Sequence, residues 1–170
     1  DFLSSREIQA LIELMQKNGG KVSYRTNQNG EDSPYELNIS LLNAVNQTFY
    51  DTDELQLDRF ICIHAVMMSL EGVPAFYIHS LLGTENDYEL FNQTKHNRSL
   101  NRHIYEKISI YNELTTDGSI TNRVHGSISK LLVLRKKQKA HVHIISNSCV
   151  TKVPLNSGEQ ISCLLYTSPS

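Results

Sequence analysis

Two stretches of the 170-residue chain concentrate the side chains able to do chemistry. The first holds Arg25, Glu31, Asp32, Tyr35 and Glu36; the second holds Glu85, Asp87, Glu89, Lys95, His96, Arg98, Arg102 and His103. Guanidinium forks match the paired oxygens of a phosphate or carboxylate, so Lys95, His96, Arg98, Arg102 and His103 together could bind an anion. A plainer reading pairs Arg98 and Arg102, one helical turn apart, with Asp87, Glu89 or Glu106 on a solvated surface. His141 and His143 fall on one face of a strand, but no third ligand has a suitable spacing and no metal site is expected. His64 sits in an apolar helical pattern and reads as a core histidine, and Arg135-Lys136-Lys137 as a solvated helix end. There is no nucleophile elbow, phosphate-binding Gly-rich loop or Cys-x-x-Cys, and no cofactor is expected.

Composition narrows the class. With Lys+Arg 16 against Asp+Glu 18, the chain has no global electrostatic footprint for nucleic acid. No apolar run is long enough for a transmembrane helix, and the opening Asp1-Phe2-Leu3-Ser4-Ser5-Arg6 has no signal-peptide pattern. Cys62, Cys149 and Cys163 make neither a disulfide framework nor a zinc pattern, which fits a reducing, cytoplasmic compartment. The length fits one domain, yet the chain does not open on Met, and a piece of a longer protein is expected.

The elements that would position these residues follow from periodicity. Ser4 and Glu7 form a capping box for a helix that buries Ile8, Leu11, Ile12 and Met15 and stops at Asn18-Gly19-Gly20. A polar loop is expected over 21–34 with a turn at Asn29-Gly30, then short helical or irregular structure over 35–45. A second helix is expected over 53–70, capped by Asp51 with Glu54, then a buried strand over 73–78, a long polar loop over 79–103 and a third helix over 122–139. This order is that of a βα-repeat fold with parallel strands. His141-Val142-His143-Ile144-Ile145 and Gln160-Ile161-Ser162-Cys163-Leu164-Leu165 read as the start of an antiparallel β module.

Several blocks are similar to the sucrose phosphorylase branch of glycoside hydrolase family 13. They are Ser23-Tyr24-Arg25-Thr26-Asn27, Ser33-Pro34-Tyr35-Glu36-Leu37-Asn38, the run from Gly72 through Ala75-Phe76-Tyr77-Ile78-His79 to Gly83, Asn86-Asp87-Tyr88-Glu89, and Asn97-Arg98-Ser99-Leu100-Asn101-Arg102-His103. They stand in the family's order over about residues 3–140. Ser-Pro-Tyr followed by Glu, and the Ala-Phe-Tyr-Ile-His run, are more like the glucosylglycerate phosphorylases than the sucrose enzymes.

The resemblance implies the C-terminal part of a (β/α)8 barrel over 1–140, with 73–78 as its eighth strand and 122–139 as its last helix. The start of a truncated antiparallel β domain would follow over 141–165. Cys163-Leu164-Leu165-Tyr166-Thr167-Ser168-Pro169-Ser170 is similar to translated library-adapter sequence, and residues 166–170 read as a non-native tail. The implied reaction is retaining transfer of a glucosyl group between an α-glucoside and inorganic phosphate, giving glucose 1-phosphate, with no nucleic-acid or membrane partner. Its carboxylate nucleophile, acid/base and third supporting carboxylate lie on earlier strands in the family, so no catalytic residue is assigned here. Arg98 matches the arginine that contacts phosphate or the glucosyl subsite, and Tyr35 and Glu36 match the mobile acceptor loop. Glu36 stands where sucrose phosphorylases have Gln, and Asn97 where they have Gly before the arginine. The alternatives are an α-glucoside hydrolase or transglucosidase of the same family, or a non-catalytic anion-binding α/β module.

Overall fold

The computed structural model describes residues 3–48, 53–70, 72–137, 150–154 and 160–164. The first helix, α1 (Ser5–Lys17), begins on the expected capping box: Ser4 Oγ accepts the Glu7 N–H, and the Glu7 carboxylate accepts the Ser4 N–H at 2.7 Å. Ile12 and Met15 are its buried face. Asn18 ends it, and the buried Asn18 side chain donates through Nδ2 to the Ala44 carbonyl at 2.8 Å, tying the helix end to a later segment.

Residues 21–38 are not a loop. Strands β1 (Lys21–Thr26) and β2 (Asp32–Asn38) pair as an antiparallel hairpin closed at Asn29-Gly30. Asn27 builds the turn, its Oδ1 accepting the backbone N–H groups of Asn29 and Glu31 while Gly30 takes a φ of 82°. The pairing slips between Ser23 and Tyr24, because Ser23 faces Glu36 while Tyr24 faces Pro34. Tyr35 is therefore the extra residue of a β-bulge, a position where proline's missing N–H is tolerated next door.

A short helix, α2 (Leu41–Ala44), starts on Ser40. Helix α3 (Gln56–Ser69) follows, and its side chains take up the carbonyls left open around α2: Gln56 donates to Leu42 O, and Arg59 to Val45 O and Asn46 O. Asp51 lies outside the described residues. Asp53 supports the start of α3, accepting the Leu55 N–H and pairing with Arg59 at 2.7 Å.

Residues 73–77 form no strand. A parallel strand needs a hydrogen-bonded neighbour, and among the described residues none lies beside this run; Val73 is 95% exposed. Among the described residues both sheets are two-stranded and antiparallel. The expected loop after residue 78 is instead α4 (Ile78–Leu82), α5 (Tyr88–Thr94) and a 3-10 turn (Asn97–Asn101). Then come α6 (Lys107–Thr115), which no periodicity announced, and the expected long helix, α7 (Ile120–Lys137).

Helix α7 is the backbone of the core: α3, α4 and α6 all pack on it. Phe60, Leu42, Met68, Val124 and Ile128 are buried together. His64 is buried as expected, its Nδ1 2.8 Å from the Phe60 carbonyl and its ring stacked on Phe76. Arg135 is half-buried rather than a free solvated cation. Its guanidinium donates to the carbonyls of Met68, Leu70 and Gly72, where a cation complements the C-terminal end of α3. Strands β3 (Val150–Pro154) and β4 (Gln160–Leu164) form a second hairpin, and the expected strand at 141–145 with its two histidines lies outside the described residues.

Two glycines test this packing. Gly83 caps α4 at φ 63°, and a β-carbon there would meet Val124 Cγ2 at 2.7 Å. Gly126, inside α7, has nothing within 4 Å of an added β-carbon. Gly83→Ala should lower stability by about 1–3 kcal/mol, and Gly126→Ala should raise it by about 0.5–1 kcal/mol. Urea unfolding followed by circular dichroism reads both; equal effects would disprove the α4–α7 contact.

Candidate functional site

The chemistry-bearing stretches meet. Arg98, in the 3-10 turn, donates through Nε to Glu36 Oε2 of the hairpin at 2.8 Å, across 62 positions of sequence. The Arg98 guanidinium holds Glu36 below the usual carboxylate range, with Asn38 and Arg102 acting in the same direction. Glu36 in turn raises Arg98. The plainer surface pairing of Arg98 with Asp87, Glu89 or Glu106 is not what forms.

Asn97 makes a second tie between the same two elements, donating through Nδ2 to Val22 O at 3.3 Å and Ser23 Oγ at 3.2 Å. Ser23 Oγ passes the contact on to the fully buried Asn38 at 2.6 Å. A cleft of about 590 Å³ opens along this seam, lined by Ser23, Leu90, Lys95, His96, Asn97, Arg98, Ser99 and Arg102. Four of the five proposed anion ligands thus share one wall. The fifth, His103, is turned away onto Asp87.

Tyr35 does not line the cleft. The bulge leaves its ring 62% exposed, 6.0 Å from the Arg25 guanidinium. Glu36 reaches the cleft only through Arg98.

Asp87 anchors the turn that carries Arg98. Its Oδ1 accepts the Leu90 N–H at 2.8 Å and so caps α5, while its Oδ2 lies 2.5 Å from His103 Nδ1. Its own N–H donates to Leu100 O at 2.7 Å, closing the segment on itself. Burial alone would raise the Asp87 carboxyl, but the Leu90 N–H, His103 and Glu89 N–H together hold it below its ordinary value. His103 packs edge-on against Tyr105, whose hydroxyl meets Thr84 Oγ1 at 2.8 Å, and Thr84 reaches His79 Nδ1 at 3.2 Å. Burial, with the nearby His103, pushes the His79 ring below its usual value.

Sequence reasoning missed Asn38, Thr84 and Tyr105, whose roles depend on contacts far along the chain. Among the described residues no three His, Cys, Asp or Glu side chains gather as metal ligands, and no helix is long and apolar enough to cross a membrane.

The described residues combine helices with a bulged hairpin beside a basic cleft. Sucrose 6F-phosphate phosphorylase from Thermoanaerobacter thermosaccharolyticum superposes on 95% of this chain and 37% of its own, with TM-score 0.67 at 17% identity. The chain is 37% identical over 135 residues to the glucosylglycerate phosphorylase of Escherichia coli, covering 79% of this chain and 24% of that protein. It is 36% identical over 139 residues to that of Spirochaeta thermophila, covering 82% and 23%. A sucrose phosphorylase from Agrobacterium vitis is 34% identical over 83 residues, covering 49% and 17%. No family model matches the chain. Its homologues are glucosylglycerate and sucrose phosphorylases, the branch of glycoside hydrolase family 13 that the motifs resemble. The chain spans about a quarter of the length of the glucosylglycerate phosphorylases named here.

The Asp87 carboxyl binds its proton less tightly folded than unfolded. Its ionised form therefore favours the folded chain above a pH of about 4, and that contribution is lost as the pH falls through the lowered value. Asp87→Asn keeps a capping oxygen and should flatten the acid limb of a stability–pH curve. Asp87→Ala should in addition lose about 0.5–2 kcal/mol at neutral pH. An unchanged acid limb in Asp87→Asn would overturn the lowered Asp87 carboxyl that the Leu90 N–H and His103 together produce.

Proposed function

We propose that this chain is the C-terminal segment of a retaining glycoside phosphorylase. The enzyme would transfer a glucosyl group between an α-glucoside of the glucosylglycerate or sucrose type and inorganic phosphate, giving glucose 1-phosphate. Residues 1–140 would be the end of a (β/α)8 barrel, 141–165 the start of a β-rich domain and 166–170 a non-native tail. The observation that carries this reading is the 36–37% identity to two glucosylglycerate phosphorylases over about four-fifths of the chain.

The structure adds support in two ways. Val73, Tyr77, Ile78, Ile104, Ile108 and Tyr111 are all more than half exposed, surface that the rest of a barrel would cover. Residues 73–77 have no hydrogen-bonded strand beside them among the described residues, as expected of a barrel strand whose neighbours lie in the rest of the enzyme.

In this reading the chain's part is binding. Retention takes two carboxyl groups about 5 Å apart, one attacking the anomeric carbon and one protonating the leaving oxygen. These belong to the earlier barrel strands, so Glu36, Asp87 and Glu89, already engaged or on the surface, are not given the task. Arg98 would hold an oxyanion or the glucosyl unit, its Nη nitrogens being free of protein partners among the described residues while Glu36 fixes its Nε. Tyr35 and Glu36 would face the acceptor, Tyr35 aimed outward by the bulge.

The full-length enzyme, given glucose 1-phosphate and glycerate, should release phosphate. Hydrolysis of α-glucosides with no phosphate dependence would leave a hydrolase of the same family instead. Arg98→Ala should raise the phosphate KM by roughly tenfold or more; unchanged phosphate kinetics would take Arg98 out of the site.

A further inference from the structure

We propose that Asn97 is a positioning residue for the Arg98–Glu36 pair: acting through Ser23 and Asn38, it aims a buried amide donor at Glu36 and holds that carboxylate on Arg98. The consequence for phosphate rests on the phosphorylase reading of Arg98; the relay itself rests on this chain's own contacts.

The first ground is the polarity of the hydrogen bonds. A carbonyl only accepts, so the contact of Asn97 with Val22 O at 3.3 Å fixes which end of its side chain is the amide nitrogen. The same nitrogen donates to Ser23 Oγ at 3.2 Å. The Ser23 hydroxyl gives its one hydrogen to Asn38 Oδ1 at 2.6 Å. With Oδ1 so engaged, the Asn38 amide has a single orientation, and its nitrogen is turned away from Ser23.

The second ground is the end of that relay. Asn38 is fully buried, and its Nδ2 has no hydrogen-bond partner among the described residues. A buried donor left unpaired lowers stability, so its orientation calls for a use. Glu36 and Asn38 stand two residues apart on one face of β2, and Ser23 is the cross-strand partner of Glu36. The Asn38 side chain favours the charged form of Glu36, in the same direction as Arg98. The charged groups acting on Glu36 are Arg98, in the 3-10 turn, and Arg102, just past it; Ser23, opposite on β1, is uncharged.

Asn97 and Arg98 are adjacent, so the relay and the ion pair close a ring through Ser23, Asn38 and Glu36. Asn97 thereby sets the backbone that carries Arg98 and the place of its counter-ion together. Glu36 fixes the guanidinium through Nε, so a displaced carboxylate reaches the ligand as a misaimed pair of Nη nitrogens.

The test uses the full-length enzyme. Ser23→Ala removes the middle hydroxyl and leaves Asn97 bonded to Val22 O, Asn97→Ala removes the first donor, and Ser23→Thr keeps the hydroxyl. In enzyme carrying isotope-labelled glutamate, NMR follows the titration of the Glu36 carboxyl, its resonance assigned with Glu36→Gln. Both alanine variants should raise the Glu36 midpoint by roughly half a pH unit or more, toward the ordinary carboxylate value, and Ser23→Thr should leave it in place. Both should raise the KM for phosphate by roughly threefold or more at nearly unchanged kcat, with Ser23→Thr again restoring it. An unmoved Glu36 midpoint in Ser23→Ala would overturn the relay, as would a Ser23→Thr variant that behaves like Ser23→Ala. A raised midpoint with unchanged phosphate KM would overturn the positioning of Arg98. If the midpoint rises but the enzyme acts on α-glucosides with no phosphate dependence, the phosphorylase reading fails and the relay stands.

Discussion

The arrangement of the basic cleft depends on Asp87. One residue caps α5 with Oδ1, holds His103 with Oδ2 and donates its N–H to Leu100, so the segment from 87 to 103 closes into a loop with both ends on the same side chain. Everything that gives the cleft its charge rides on that loop. A carboxylate that is partly buried must have its oxygens satisfied, and here the satisfying partners are the start of a helix and the residue just past a 3-10 turn. The desolvation that would destabilise Asp87 alone becomes the reason its partners must stay together. Losing either partner strands charge, so the loop is held by the cost of opening it.

The hairpin is set against that loop from the other direction. Asn97 grips β1 through Val22 and Ser23, while Arg98 grips β2 through Glu36. Successive residues of one turn thus engage successive strands, and the bulge at Tyr35 makes this fit. Without the extra residue the pairing would keep one register, and the side chains of β2 on one side of the bulge would fall on the opposite face. Pro34 beside the bulge gives up no ladder hydrogen bond that the irregular pairing would use. The bulge therefore does two things at once: it turns Tyr35 outward and leaves Glu36 within reach of Arg98.

How much of this is legible in the sequence follows from the range of the interactions. Helices α1, α3 and α7 are visible because their signals are local: a capping box, a three-and-four spacing of apolar residues, cations in a last turn. The hairpin is hidden because Lys21–Thr26 and Asp32–Asn38 are short, polar and mostly exposed, and the alternation of Val22 with Tyr24 and of Tyr35 with Leu37 is only two residues deep, although Asn29-Gly30 correctly marks the turn. Residues 73–78 mislead for the converse reason. Their composition suits a buried strand, but a strand is defined by a neighbour, and composition carries no information about one. Arg135 misleads in the same way: a cation in a last turn reads as solvated until the end of α3, 65 residues upstream, is placed against it. Arg98, Tyr35 and Glu36 stand out through family resemblance, and the geometry then separates them, joining two and turning the third away from the cleft.

Glu36 alters the charge of the cleft through its ion pair with Arg98. A glutamine at this position could accept the same Arg98 Nε–H but would leave all three cations of the cleft uncompensated. The carboxylate removes one of them, and at the separations involved the screening of an exposed pair is incomplete, since the Debye length is about 8 Å at physiological salt. Its depressed proton affinity keeps Glu36 charged through the neutral range. The consequence is directional as well as numerical. The field of Glu36 falls on Arg98, its hydrogen-bond partner, more strongly than on Arg102, and among the described residues no carboxylate pairs with Lys95. The uncompensated positive charge is thereby left away from the hairpin, toward the C-terminal end of α5. A cleft neutralised at one end and left positive at the other orients a ligand that has one charged and one uncharged end.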